Sequence, residues 1–284
     1  MPFVISATAL TAYKRCPKSY WFGFEKYVSP VETKGIIQQG IDFHSIAAAY
    51  AQALKTGSDF SPPDTHDDAM YPVFVAWLNN RGGKEFDNME ILHVEEPMFT
   101  RLYDDVWLRT TLDLVYRRAD GWIVIRDYKT FSAFPSKLDA SLDFQARVYI
   151  AAIMLKYGTS KVTFEHVYVR RELNHTGKQA HVAWTPEESY VYDDIVISKE
   201  EAMELWKETA WVAGEIVNKR AIENPYEGQW YRVDHKGYSP FTCGSCFYKG
   251  VCDGDLTYGV DLLDLEELGY EIKETERNSH ELPA

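Results

Sequence analysis

An α/β fold is what this chain predicts, on three observations. Two β-rich runs are joined by a short glycine-containing loop over residues 108–130, apolar-rich helical patterns cover 38–55 and 141–157, and a further β-rich run covers 161–170. Strands that alternate with helical patterns bury their apolar faces as a sheet flanked by helices. Taken in order, the chain to about residue 90 reads as helical. Ser6 opens a first helix through Ala7, Ala9, Leu10 and Tyr13, which ends before Pro17 because proline bars its predecessor from the helical region. A second helix runs from Gln38 to Lys55 and stops at Gly57. It carries His44 among Ile41, Ala47 and Ala48, where a histidine is ordinarily a packed core residue.

The β-rich core spans about residues 90 to 130, followed by a helix over Ser141–Tyr157 that ends at Gly158. Gln145 and Tyr149 fall one turn apart on that helix, beside an apolar stripe of Phe144, Val148, Ala151, Ala152 and Leu155. Ser198-Lys-Glu-Glu201 matches a capping box, opening a helix to about Arg220 with Leu205, Trp211, Val212 and Ile216 available for packing, before a break at Asn224-Pro225. From Leu256 onward eight acidic residues face only Lys273 and Arg277, which reads as a solvated or interacting tail.

Chemistry concentrates in the hairpin. Its strands are Leu108–Tyr116 and Trp122–Thr130, joined through Ala119-Asp120-Gly121. A three-residue loop sets Arg118 against Trp122, and the same register sets Asp113 against Asp127, with Cβ atoms about 5 Å apart. Like charges so placed repel unless a divalent cation chelates both. Alternation puts Lys129 on the face of Asp127 and points Tyr128 away. Two carboxylates and an ammonium on one patch suit phosphodiester hydrolysis, in which a hard cation such as Mg2+ activates water and stabilises charge on the phosphate oxygens. An isolated D-x-K tripeptide is ordinarily a chance match on a solvent-facing strand, so the neighbouring motifs decide.

Those motifs resemble the PD-(D/E)XK nucleases of the RecB type, including the iron-sulfur exonucleases of CRISPR adaptation and related single-strand exonucleases. The family order of helix histidine, strand glutamate, aspartate, D/E-x-K and Q-x-x-x-Y is matched by His44, Glu95, Asp113, Asp127-Tyr128-Lys129 and Gln145-Ala-Arg-Val-Tyr149. The resemblance implies a restriction-endonuclease-like core, a mixed central sheet flanked by helices, with a helical amino-terminal region and a carboxy-terminal iron-sulfur loop. It implies that His44, Asp113, Asp127 and the carbonyl of Tyr128 bind Mg2+ or Mn2+. By the same likeness Lys129, Asp113, Asp127 and Glu95 are catalytic, and Gln145 and Tyr149 support the site or the DNA. Glu96, next in sequence, is an alternative to Glu95, and Thr110 stands where the family often has glycine.

The chain has four cysteines, three of them in Cys243-Gly-Ser-Cys246-Phe-Tyr-Lys-Gly-Val-Cys252 and the fourth at Cys16. C-x-x-C neighbours in an intracellular chain point to metal or redox chemistry, and the one-plus-three spacing fits structural zinc or an iron-sulfur cluster. The resemblance selects the cluster, since this spacing marks the family's iron-sulfur branch, and implies a 4Fe-4S centre on Cys16, Cys243, Cys246 and Cys252. Such a centre would clasp the two ends of the chain in a structural role.

The organisation expected is a single nuclease domain over 1–255, comprising a helical part over 1–90, a catalytic core over 91–185, and a helix and cysteine loop over 198–255, followed by the acidic tail over 256–284. A mass of 32.7 kDa with 45% hydrophobic and 14% aromatic residues supports a substantial core. No apolar run reaches the length of a membrane span and the start Met1-Pro-Phe-Val-Ile-Ser lacks the basic region of a secretory leader, so a cytoplasmic location is expected, the host cytoplasm for a viral chain. A net charge of −13 argues against nucleic-acid binding over the whole surface. It leaves room for a channel gathering Lys14, Arg15, Lys18, Arg147, Arg170, Arg171 and Lys219. The function expected is a metal-dependent deoxyribonuclease, an exonuclease on single-stranded DNA or free ends that works among DNA-processing proteins; the rival is a nuclease fold without turnover that binds DNA or builds a complex.

Overall fold

Segments far apart in sequence assemble into two compact units, one from Met1–Thr33, Phe99–Arg109 and Lys207–Ala284, the other from Lys34–Met98 and Thr110–Trp206. The computed structural model describes residues 2–31, 35–65, 70–79, 89–131, 143–170, 189–221, 243–244, 246–258 and 264–273. The expected helix start at Ser141, Arg171, the Asn224-Pro225 break, core residues 171–185 and tail residues 274–284 lie outside the described residues.

In the first unit, strand β1 (Phe3–Ser6) pairs in parallel with β5 (Val106–Thr111), itself paired with β4 (Pro97–Tyr103). Ser6 then caps helix α1 (Ala7–Arg15), its hydroxyl accepting the Ala9 N–H at 3.1 Å. Cys16 is extended, and Pro17 begins the short α2 (Pro17–Tyr20), which runs into a π-helical turn over Trp21–Glu25. The region expected to be helical therefore also holds β1 and a second strand, β2 (Val28–Pro30). A four-residue strand shows too little alternation to be read, and the partner of β1 lies a hundred residues away. The expected tail also contributes structure: helix α7 (Lys249–Tyr258) continues past Leu256, and β10 (Tyr270–Ile272) pairs antiparallel with β2. Tyr270 is buried there and its hydroxyl donates to the Phe247 carbonyl at 2.5 Å.

The second unit carries a mixed five-stranded sheet in the order β3-β6-β7-β8-β9. Its strands are β3 (Glu90–Val94), β6 (Leu114–Arg117), β7 (Ile123–Phe131), β8 (Val162–Arg170) and β9 (Ser189–Ile195). The hairpin register is the expected one. Arg118 N–H donates to Trp122 O at 2.9 Å, Gly121 takes φ 84° in the loop, and Leu114 lies opposite Arg126. β7 and β8 are parallel, so the chain between them must cross over. Helix α5 (Phe144–Tyr157) makes that crossing, capped by Asp143 and ended by Gly158 at φ 63°.

Alternation gives β7 two faces of different character. Val124, Arg126 and Tyr128 point towards helices α3 (Gly35–Thr56) and α4 (Met70–Trp77), where Tyr128 meets Phe43 and Trp77 edge-on with ring centroids 5.8 and 5.5 Å apart. On this face Arg126 Nη2 donates to Glu165 at 2.8 Å, and the Tyr116 hydroxyl donates to the same carboxylate at 3.0 Å. Asp127 and Lys129 occupy the other face, where Tyr149 of α5 stacks on Phe164. α5 is buried nearly all round through Val148, Ile150 and Ile153, each such side chain contributing about 1.5–3 kcal/mol. Leu155, placed in the stripe by periodicity, is instead exposed. On α6 (Lys199–Arg220) Leu205, Val212 and Ile216 are buried, whereas Trp211 is 70% exposed, because it lies about 120° around the helix from that row.

Candidate metal centre

The centre forms where pairing stops. β6 begins at Leu114, so Asp113 stands just outside the ladder. One further step of the register sets it across from Asp127. Its Oδ2 accepts the Tyr128 N–H at 2.7 Å and lies 3.3 Å from His44 Nδ1 on α3. Glu95 enters from a different geometry than expected: it is the first residue of the turn after β3 rather than a strand residue. Its φ of 50° is left-handed, a conformation costing a non-glycine residue about 1–2 kcal/mol. The Glu95 N–H, shared between Leu112 O at 3.0 Å and Asp113 O at 3.3 Å, holds that turn, and Oε1 comes to 4.0 Å from His44 Nδ1. Glu96, the sequence alternative, is engaged elsewhere with Lys55 at 2.8 Å and His93 at 3.0 Å.

His44, Glu95 and Asp113 each bring one ligand atom within 4.8 Å of the others. Beside them Lys129 Nζ lies 3.0 Å from Asp127 Oδ1 and 2.8 Å from Oδ2. Oδ2 is buried without a well-directed hydrogen bond despite that closeness. On α5 the Gln145 side-chain amide donates to the Tyr149 hydroxyl at 2.6 Å. A groove of about 540 Å³ runs along α3 past Ile37 and Ile41 to His44 and Glu95.

Burial acts first on Glu95, Asp127, His44 and Lys129, and the neighbouring charges then reinforce or oppose it. Burial, then the Asp113 charge, pushes Glu95 above the usual carboxylate range. Burial also raises Asp127, Lys129 opposing and Asp113 reinforcing. For His44 burial favours the neutral ring, but the hydrogen bond and charge of Asp113 outweigh it and the net displacement is upward. Burial likewise opposes the charged form of Lys129, yet the Asp127 carboxylate prevails and holds the ammonium protonated. Tyr149 is pushed up to about 12, chiefly by burial.

The donor set fits a small hard dication. Ligands about 2.1 Å from an octahedral ion are about 3.0 Å apart when adjacent and about 4.2 Å apart when opposite. The 3.3 and 4.0 Å separations from His44 fall in that span. Carboxylate oxygens with one imidazole suit Mg2+ or Mn2+ better than a thiolate-seeking metal.

The cysteines belong to the first unit. Cys16 separates α1 from α2, the Cys246 N–H closes a turn onto Cys243 O at 3.2 Å, and Cys252 lies in α7; all four are half-buried free thiols. The two stretches approach through Phe22 and Tyr248, stacked at 5.8 Å, and a Cβ at Gly23 would sit 2.5 Å from the Tyr248 hydroxyl, so a larger residue there would displace that side chain. Several cations proposed for a DNA channel are matched by carboxylates: Lys14 by Glu208, Lys219 by Glu215 at 3.1 Å and Arg147 by Glu201. The cations of these pairs are only partly exposed, at 16% for Lys219, 27% for Arg147 and 33% for Lys14. His166 and Asp143, which adjoin Asp127 and Lys129, fall in no motif that the sequence shows. Only the parallel pairing of β8 with β7, which no local pattern signals, brings His166 beside Asp127.

A mixed sheet flanked by helices that gathers carboxylates, a histidine and a D-x-K lysine at one strand end defines the metal-dependent nuclease class. Residues 4–253 match the family model of the PD-(D/E)XK nuclease superfamily, and the chain belongs to that superfamily. Its members hydrolyse phosphodiesters with divalent metals such as Mg2+ or Mn2+, with DNA as the substrate the family implies. No curated protein matched the chain. Among solved structures it is similar to the crystal structure of SSO0001, at 12% identity and a TM-score of 0.38 over 88% of this chain and 86% of the other. No helix among the described residues is long and apolar enough to cross a membrane.

Proposed function

We propose that the protein is a single-strand DNA exonuclease of the RecB-type iron-sulfur branch. The observation that carries the reading is the His44–Asp113–Glu95 cluster adjoining the Asp127–Lys129 pair. His44, Asp113 and Asp127, with the Tyr128 carbonyl, would hold the metal. A bound dication supplies Lewis acidity to the scissile phosphate and lowers the pKa of the attacking water. The Tyr128 N–H and His44 orient the Asp113 carboxylate, whose remaining lone pairs would be available to the ion. Lys129, held charged by Asp127, directs its remaining protons at the water and the phosphate oxygens that gather charge. Gln145, tied to Tyr149, offers its carbonyl side to the water or the strand. A 4Fe-4S cluster on Cys16, Cys243, Cys246 and Cys252 would fasten α1 and α2 to the loop leading into α7, consistent with the Phe22–Tyr248 crossing.

The test is digestion of end-labelled single-stranded DNA with Mg2+ or Mn2+ by the wild type and by Asp113→Ala. The wild type should shorten the strand from an end only with metal, and the variant should lose nearly all activity. Equal activity in the two would assign the cutting to another site, and a wild type inert with either metal would leave the non-catalytic DNA-binding reading in its place.

A further inference from the structure

His166 is a buried titratable side chain that the mechanism above does not use. It is 1% exposed, lies opposite Asp127 in the parallel β7–β8 ladder, and is flanked on its own strand by Phe164 and Tyr168 with ring centroids at 4.8 and 5.6 Å. From α5 it is faced by Asp143, whose Oδ2 lies 3.3 Å from His166 Nε2. His166 Nδ1 is buried with no hydrogen-bond partner among the described residues. A proton on Nδ1 would be an unsatisfied buried donor costing about 1–3 kcal/mol, so the neutral ring carries its proton on Nε2 and donates it to Asp143. Asp143 is thus divided: Oδ1 accepts the Gln145 N–H at 2.8 Å and Oδ2 takes the histidine. Its charge also reaches Lys129, whose close partner is Asp127.

We propose that His166 is a positioning residue for strand cleavage: by occupying Asp143 Oδ2 it keeps that carboxylate on the amino end of α5 and leaves the Lys129 ammonium to Asp127 and the reacting phosphate. The effect on cleavage rests on the nuclease reading; the tie itself does not. Without the ring, Asp143 is only partly buried and can turn towards Lys129. Both contacts to the carboxylate are charge-assisted, but the ammonium brings a full unit charge where the cap N–H brings a partial one, so Lys129 competes with the cap for Asp143. A histidine that merely filled the core would have no such link to Asp143.

The experiment compares His166→Leu, His166→Gln and the double variant His166→Leu/Asp143→Asn. Single-turnover cleavage at saturating Mn2+ and hydrogen exchange of the Gln145 amide are both measured. In the leucine variant the cleavage rate should fall about tenfold to a hundredfold with substrate affinity within about twofold, as small misplacements of a catalytic group do. Gln145 exchange should accelerate in parallel. Asparagine still caps a helix but cannot bind lysine as an ion, so the double variant should regain most of the rate and the slow exchange. The glutamine variant, which keeps a donor for Asp143, should resemble the wild type. A rate loss that Asp143→Asn does not relieve, unchanged Gln145 exchange, or a folded glutamine variant as slow as the leucine one each overturns the proposal. A wild type that cuts nothing sinks the nuclease reading, and the exchange pattern then decides the tie alone. If the leucine variant does not fold, His166→Asn, too short to reach Asp143, takes its place with the same expected loss.

Discussion

Lys129→Ala separates the charge of the site from its chemistry. In the metal-free protein the ammonium lies 2.8 Å from Asp127 Oδ2, with side-chain exposures of 42% for Lys129 and 13% for Asp127. Coulomb's law gives about 6 kcal/mol for that separation at an effective dielectric of 20 and about 1.5 kcal/mol in bulk water. Because the lysine is more than a third exposed, the lower figure applies. An incoming dication competes with that ammonium for Asp127. Removing the lysine should therefore tighten Mn2+ binding by up to about tenfold, since about 1.4 kcal/mol is one decade. The same substitution deletes a preorganised positive donor facing the phosphate, and losses of that kind cost about 10²–10³ in rate. Calorimetric titration of the metal-free protein with Mn2+, and single-turnover digestion of end-labelled single-stranded DNA at saturating Mn2+, give the two numbers. A variant that binds Mn2+ ten times more weakly than the parent, or cuts at the parental rate, refutes the reasoning.

Proton linkage makes a second prediction. His44, Glu95 and Asp127 all hold protons above their ordinary values of 6.5, 4.5 and 3.8, so in the metal-free protein the folded state binds protons more tightly than the unfolded one. Their stabilisation is full below those values and is lost as pH rises through the folded ones, whereas groups displaced downward, such as Asp143 and Glu96, act only below about pH 4.5. The metal-free Tm should therefore fall between about pH 5 and 8, and saturating Mg2+ should flatten the slope; a metal-free Tm that rises over this range contradicts the cluster. For the cysteines, protein purified without oxygen should be brown and contain iron and acid-labile sulfide, and Cys252→Ala should lose the colour and melt at lower temperature. Colourless protein holding one zinc ion would replace the cluster with a zinc knuckle.

The hairpin was legible because everything that sets it is local. Gly121 and the strand run lengths fix the register, and the register fixes the approach of Asp113 to Asp127. The capping residues Ser6 and Ser198 and the stop at Gly57 were readable for the same reason, each satisfying a backbone group within a few residues. Glu95 shows where that locality ends. Sequence parity leaves Glu95 and Glu96 equivalent, and the choice is made by a left-handed turn that the Glu95 N–H holds by donating to the Leu112 and Asp113 carbonyls. β1, β10 and the His166–Asp143 contact are invisible for a related reason, since each depends on a partner from a remote segment.

The two faces of β7 give the strongest physical reason to treat the acidic cluster as a site rather than as structure. On the α3 face Arg126 and Glu165 are both buried and neutralise one another, with Tyr116 satisfying the carboxylate as well. Charge is balanced there, as in a buried ion pair it must be if the pair is not to destabilise the fold. On the other side of the same strand Glu95, Asp113 and Asp127, with Asp143 close by, crowd together with Lys129 and two histidines, His44 and His166, so the carboxylates there exceed the nearby permanent positive charge. The upward displacement of Glu95 and Asp127 comes first from burial and is reinforced by the charge of Asp113. A fold that balances charge fully on one side of a strand has the means to do so on the other. An imbalance retained beside a partly exposed lysine is relieved most directly by a divalent cation, which restores neutrality in the place where a phosphodiester would meet the lysine.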